Sequence, residues 1–445
     1  MEIPFGIIVG LVLFLVGILI GLPLCWVFLG SSTVAIILMG NPLSFIATTA
    51  YHALDSYILM AIAFFIFAGG LMSEAGLADR LVRFAYVLVG RVRGGMIDVG
   101  IVATLFLSAL TGSSTPCIAA LIPILVPRLE RFGYQKRYTT AVLCSSSFLG
   151  YLIPPSVPVL IYCLVAQQSV AAVFLSTVFP GLILAGGYMV LNTFISSRYR
   201  QPSKEIPELP TTFKGSVKEV GIATWLALPA LGCPLIVLGG IYGGVFTPNE
   251  AGAIAFVYTF IVGLFIYREL KMKNFWRTCQ NTLTTLGMIT LILGFGTVFT
   301  RLLILEGVAQ AAAESILRMF ESKYLILLML NIFILILGMF IDGIPILIIA
   351  VPLIMPLVQA IGVNLVQLGA IIVVNVGLGV VTPPYAMSIF VGSRLSGVPY
   401  DQLVKPMMIY LLVVGLPVLF LTTYIPLLSC WLPTMVVGAK IVGPW

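Results

Sequence analysis

The chain has 445 residues, 60% hydrophobic and 9% charged, with a formal net charge of +7. A soluble domain carries about 25% charged residues, so this composition excludes a chain that covers itself with a water-facing surface. The basic residues fall in short clusters between apolar runs, the pattern of cytoplasmic loops rather than of a nucleic-acid grip.

In chain order, the first apolar run is 4–29. It follows Met-Glu-Ile-Pro, which lacks a basic leader, so it reads as a retained first membrane span. His52, the lone histidine, reads as an interfacial loop residue. Runs at 57–72, 222–241, 251–267 and 407–428 approach or exceed the roughly 20 residues that cross a bilayer core. The seven cysteines include no CxxC pair, and most lie inside apolar runs as small hydrophobes. GxSxG, HExxH and Walker A sequences do not occur, so nothing points to an enzyme or to direct use of ATP.

An internal repeat organises the chain. Residues 112–155 lie over 341–384 without a gap, at an offset of 229 (345 − 116). Pro116, Pro123, Pro127, Pro154 and Pro155 fall on Pro345, Pro352, Pro356, Pro383 and Pro384, and Gly133 and Gly150 fall on Gly362 and Gly379. Kinks alone would not require a common register. The copies differ in charge: 128–137 carries Arg128, Arg131, Lys136 and Arg137 against Glu130, whereas 357–366 carries none. The preceding segments, 73–94 and 305–323, contrast in the same sense. The positive-inside rule therefore places the first copy towards the cytoplasm and the second away from it, an inverted repeat.

The expected fold is an all-α integral membrane protein with about ten to eleven transmembrane helices and two re-entrant helical hairpins. Its parts are a first inverted repeat (1–197), a cytoplasmic linker (198–221), a second repeat (222–428) and a C-terminal tail (429–445).

Each repeat has two places that cannot be continuous helix. One is Gly112–Pro116 or Ile341–Pro345, read as the tip of a re-entrant hairpin with proline in the first turn of the returning helix. The other is Ser145-Ser146-Ser147, Gly150 and Pro154-Pro155, matched by Asn375, Gly377, Gly379 and Thr382-Pro383-Pro384. Irregular backbone at membrane depth must be buried in protein or line a wet cavity. Freed carbonyls and hydroxyls suit a hard cation, and half-helix N-termini suit an anion; passive kinks are the alternative. Asp342 reads first as a cation ligand, second as a protonated structural acid. Ser108 and Thr111 could simply bond helix carbonyls.

These residues carry a family resemblance. The stretch 108–163, with GVFTPNEAGAIAF at 244–256, FIDGIPILIIAVPLIMPL at 340–357 and GVVTPPYAMSIFVGS at 379–393, resembles the large membrane subunit of tripartite ATP-independent periplasmic (TRAP) transporters. The likeness runs from about residue 4 to 428. It implies an elevator-type, multi-pass permease of the bacterial inner membrane that imports a small organic acid, such as a dicarboxylate, sialic acid or a related sugar or keto acid. Import would be coupled to Na⁺ and would involve a small four-helix membrane subunit and a periplasmic solute-binding protein. By similarity, a first Na⁺ site would use Ser113, Ser114, Ser146, Ser147 and Gly150, and a second Asp342, Gly343, Asn375, Gly379 and Thr382. Ser114, Thr115, Ser145, Pro155, Asn375, Pro384 and Tyr385 would face the substrate. The family often has Val-Gly after Thr-Pro-Pro; here the pair is Tyr385-Ala386, which bears on substrate identity. The rival reading is a stand-alone Na⁺ or anion exchanger on a related scaffold.

Overall fold

A computed structural model describes residues 4–90, 94–201 and 213–445. These residues form helices and no strand; the nearest to one is an isolated bridge between Tyr134 and Arg200. Helix α1 (Phe5–Ile20) ends at Gly21, whose φ of 81° is a left-handed conformation open to glycine, and Pro23 caps α2 (Leu24–Leu38). The two pack against each other, so the run 4–29 is a helical pair and not one span. Helix α3 (Ser44–Leu54) carries His52 in its last turn, so this residue is helical rather than in a loop.

Helix α4 (Tyr57–Glu74) leads through Gly76, at φ 69°, into α5 (Leu77–Val89), an amphipathic arm that buries Leu77, Ala78, Leu81, Val82 and Ala85 at helical spacing. Helices α6 (Gly95–Thr111) and α7 (Ser114–Arg131) form hairpin 1. Next come α8 (Lys136–Ser146), one turn of α9 (Leu149–Leu152) and α10 (Val157–Ala166), a helix bent by 41° at its break. Helix α11 (Val170–Ile195) closes the first half.

The second half opens with α12 (Phe213–Tyr242) and α13 (Pro248–Ile261), then α14 (Met272–Leu305) and the arm α15 (Val308–Met319). Hairpin 2 is α16 (Lys323–Phe340) with α17 (Gly343–Ala360). The second broken helix is α18 (Leu365–Gly379) with α19 (Met387–Ser396). Helices α20 (Tyr400–Tyr410), α21 (Leu416–Tyr424), α22 (Pro426–Val436) and α23 (Ala439–Val442) end the chain. Hairpin, broken helix and closing helix thus recur in the register read from the prolines. Gly133 and Gly362 turn alike, at φ 87° and 65°, and both Pro-Pro bonds are cis.

Two boundaries move. The linker assigned to 198–221 lies partly outside the described residues, but α12 already begins at Phe213, with no proline in 213–221 to stop it. The tail assigned to 429–445 is helical too: α22 straddles its start and packs on α11. Arg91 and Arg93, which fall in the segment 73–94 of the charge argument, lie outside the described residues.

Among the described residues, eight helices can cross a membrane by length and composition, or nine with the bent pair α8–α10. Two of the eight are the arms of hairpin 2, and α1 and α2 are shorter, with 16 and 15 residues. Leu19, Phe194, Trp225, Leu235 and Leu283 are all exposed. Such a girdle is stable only against lipid. One large core links the hairpins and broken helices, while Phe14, Phe28 and Phe299 centre a second core between α1, α2 and α14. Ion pairs from Arg80 to Glu269 (2.8 Å) and from Arg277 to Glu74 (3.2 Å) tie the start of the first arm to the α13–α14 turn.

Candidate functional site

The site begins at the hairpin tips. Gly112, at φ 60°, ends α6; Ser113 is extended and caps α7; Pro116 is the third residue of α7, where no intrahelical N–H bond is lost. The tip sits in the break of the first broken helix. The Val157 N–H donates to the Gly112 carbonyl at 3.0 Å. A Cβ on Gly112 would stand 2.5 Å from the Pro155 oxygen, and one on Gly150 would stand 2.5 Å from the Ser113 oxygen. Ser113, Ser114, Gly150 and Pro155 are therefore neighbours, as their sequence assignment requires.

The serines of the break are buried. The Ser146 hydroxyl donates to the Val142 carbonyl at 2.8 Å and Ser147 to that of Cys144 at 2.7 Å, with Ser147 also 3.2 Å from Ser388 Oγ. A hydroxyl whose proton is so engaged turns its lone pairs elsewhere. Ser145 Oγ has no partner. Thr111 bonds the Leu107 carbonyl, as the plain reading expects, whereas Ser108 meets Cys117 Sγ at 3.7 Å.

Tip 2 is built alike from different residues. Asp342 caps α17, its Oδ1 accepting from the Gly343 N–H at 2.8 Å, and Pro345 is again the third helical residue. A Cβ on Gly343 would lie 2.6 Å from Val376 Cγ1, and one on Gly379 would lie 2.6 Å from the Cα of Gly338. Only glycines let α16 and α18 approach this closely. Thr382 donates to the Leu378 carbonyl at 2.6 Å, and Asn375 is fully buried against Asn331. The Tyr385 N–H donates to the Met339 carbonyl at 3.3 Å while its half-exposed ring turns to Phe390. The Pro384 carbonyl is taken by the Tyr400 hydroxyl at 2.7 Å. Thr115 is partly exposed at tip 1.

Tyr151, absent from the sequence assignment, joins the two tips. It stands in the first break beside Gly150, with Ser114 and Asp342 as its polar neighbours. Its ring carbon Cε2 and hydroxyl lie 3.6 and 3.9 Å from where a Gly343 Cβ would stand. The available signal was a phenol one residue from the break glycine.

A cavity of about 590 Å³ opens between the α3–α4 junction, the end of α10, α14 and α17. His52, Asp55, Gln167, Thr297, Thr300 and Arg301 give it polarity; Ile348 and Pro352 of hairpin 2 form one wall. None of the residues assigned from sequence lines it. Arg301 makes no ion pair among the described residues and is the one permanent cation in the lining. The signal for it was an arginine inside a long apolar helix.

The donor set at the tips is hydroxyl, amide and carbonyl oxygen with one carboxylate, which suits a hard cation. The family model described as "Tripartite ATP-independent periplasmic transporter, DctM component" matches residues 11–428. The chain belongs to this family. The permease is 33% identical over 450 residues to the C4-dicarboxylate TRAP transporter large permease protein of Vibrio cholerae, covering 95% of this chain and 96% of that one. It is also 33% identical over 416 residues to the isethionate TRAP transporter permease protein of Oleidesulfovibrio alaskensis. That alignment covers 92% of this chain but only 63% of the relative's length. Among solved structures, the Alcanivorax borkumensis YdaH transporter shares the fold with a TM-score of 0.59, at 15% identity and over 90% of each chain. A permease carries its solute without chemical change, so the site is one of binding and release.

Proposed function

We propose that this permease couples inward Na⁺ movement to import of a small organic anion received from a periplasmic solute-binding protein, together with a separate small membrane subunit. The observation that carries the reading is the cavity walled in part by hairpin 2. It holds Arg301, which makes no ion pair among the described residues, together with hydroxyls, an amide and the Asp55 carboxylate. A guanidinium is well shaped for a carboxylate or sulfonate, and relatives of this chain are named for C4-dicarboxylate and isethionate. In this reading Na⁺ sits at the two tips, on Ser113, Ser114, Ser146, Ser147 and Gly150, and on Asp342, Gly343, Asn375, Gly379 and Thr382. Hairpins and broken helices move as one body against α1–α4 and α12–α14 in this reading, the elevator motion that the family resemblance implies. The inverted orientation of the repeats is part of the same reading.

The test starts with the cognate solute-binding protein that this reading requires. Thermal-shift screening of that protein against organic acids identifies the solute. Uptake of that solute into vesicles holding the assembled transporter is then measured. Uptake should require an inward Na⁺ gradient; full uptake without Na⁺, under a proton gradient alone, refutes the coupling.

A further inference from the structure

Asn331 lies on α16, about three turns before tip 2, inside an otherwise apolar run, and is 3% exposed. Asn375 on α18 is fully buried, and its Nδ2 donates to both the carbonyl oxygen (2.9 Å) and the Oδ1 (3.0 Å) of Asn331. Asn331 in turn donates from Nδ2 to Thr423 Oγ1 on α21 at 2.9 Å, and the Thr423 hydroxyl donates to the Leu419 carbonyl at 2.8 Å. This chain of bonds has one direction only. The Thr423 proton is committed to a carbonyl, so Thr423 can only accept from Asn331. The amide nitrogen of Asn331 must then face Thr423, and its oxygen must face Asn375. The nitrogen of Asn375 is held by a backbone carbonyl as well, so neither amide can flip.

The chain ends on one atom, Asn375 Oδ1, a fully buried acceptor with no hydrogen-bond partner among the described residues. A buried amide oxygen left unpaired is costly unless a ligand completes it. The helix that carries it passes close to tip 2: the next residue, Val376, lies against Gly343, and Gly379, one turn on, abuts Gly338.

We propose that Asn331 is a positioning residue: anchored on Thr423, it fixes the amide oxygen of Asn375 in one orientation as a ready-made ligand for the cation at tip 2. This rests on the Na⁺ reading above and extends it to a residue outside the ligand set. It also makes the two tips unequal. At the repeat offset, Asn331, Asn375 and Thr423 correspond to Val102, Ser146 and Phe194. The brace therefore has no counterpart in the first half, where Ser146 bonds only within its own helix. Partners that orient a metal ligand typically contribute about 10–100-fold in affinity.

The test titrates the thermal unfolding midpoint of the purified full-length chain in nanodiscs with NaCl, with choline chloride holding ionic strength constant. Asn331→Leu keeps the volume and removes the brace; Thr423→Val removes only the anchor and serves alone if the first variant does not fold. The wild type should be stabilised by Na⁺. In either variant part of that response should move to at least about tenfold higher Na⁺, while the part owed to tip 1 stays in place. A wild type that responds to Na⁺, with variants that follow the same curve, overturns the positioning role and leaves the Na⁺ reading standing. A wild type indifferent to Na⁺ overturns both.

Discussion

Gly150 lies against the backbone of Ser113, so close that a Cβ on the glycine would stand 2.5 Å from the serine's carbonyl oxygen. The contact is backbone against backbone, and neither side has a flexible chain end that could yield. Gly150→Ala should therefore lower stability by about 1–3 kcal/mol, the range for forcing atoms into a packed interior. A thermal unfolding midpoint equal to the wild type's would show that tip 1 is not seated in the break.

Asp342 both caps α17 and places a carboxylate at tip 2. Asp342→Asn keeps an oxygen for the Gly343 N–H, so the loss of about 0.5–2 kcal/mol for a removed cap should not appear. The charge is gone, and the Na⁺ concentration for half-maximal uptake should rise at least about tenfold, equivalent to about 1.4 kcal/mol. Unchanged Na⁺ dependence would leave capping as the whole role of this residue.

Arg301→Gln tests the cavity. A hydrogen bond to a charged partner contributes about 1.5–3 kcal/mol, so the solute KM should rise about 10- to 150-fold with the Na⁺ dependence intact. An unaltered KM would place the anion elsewhere.

Orientation is tested by labelling. Cys25 and Cys279 are the partly accessible cysteines and are first replaced by serine. Lys136→Cys and Ala360→Cys then mark the turns after the two hairpins, both at exposed positions. Lys136→Cys should react from the cytoplasmic side and Ala360→Cys from the opposite side. Reaction of both from one side would end the inverted reading.

The surface pair of Arg80 and Glu269 should matter little despite its 2.8 Å separation. Both groups are partly solvated, so Arg80→Gln should cost only about 0.2–1 kcal/mol. A larger loss in the unfolding midpoint would point to the stacking of Arg80 on Tyr267, 3.8 Å from ring centre, as the stronger contact.

The sequence by itself determined the membrane class, the repeat and the places where helices fail. Those properties follow from local chemistry: paired prolines, and glycines beside polar residues, weaken a helical hydrogen-bond ladder, and apolar length fixes what can lie in lipid. That is why Gly112–Ser113 and Ile341–Asp342 are tips in both readings. The same locality misled at 4–29, where Gly21 and Pro23 turn the chain back inside an unbroken apolar run. Only the tertiary structure decided which breaks meet. The placement of Ser113 on Gly150, of Tyr151 between the tips and of Asn331 behind Asn375 depends on helices distant in sequence packing together. Composition also could not single out Arg301, because an arginine gains meaning as an anion partner only from the cavity that α3, α10, α14 and α17 enclose around it.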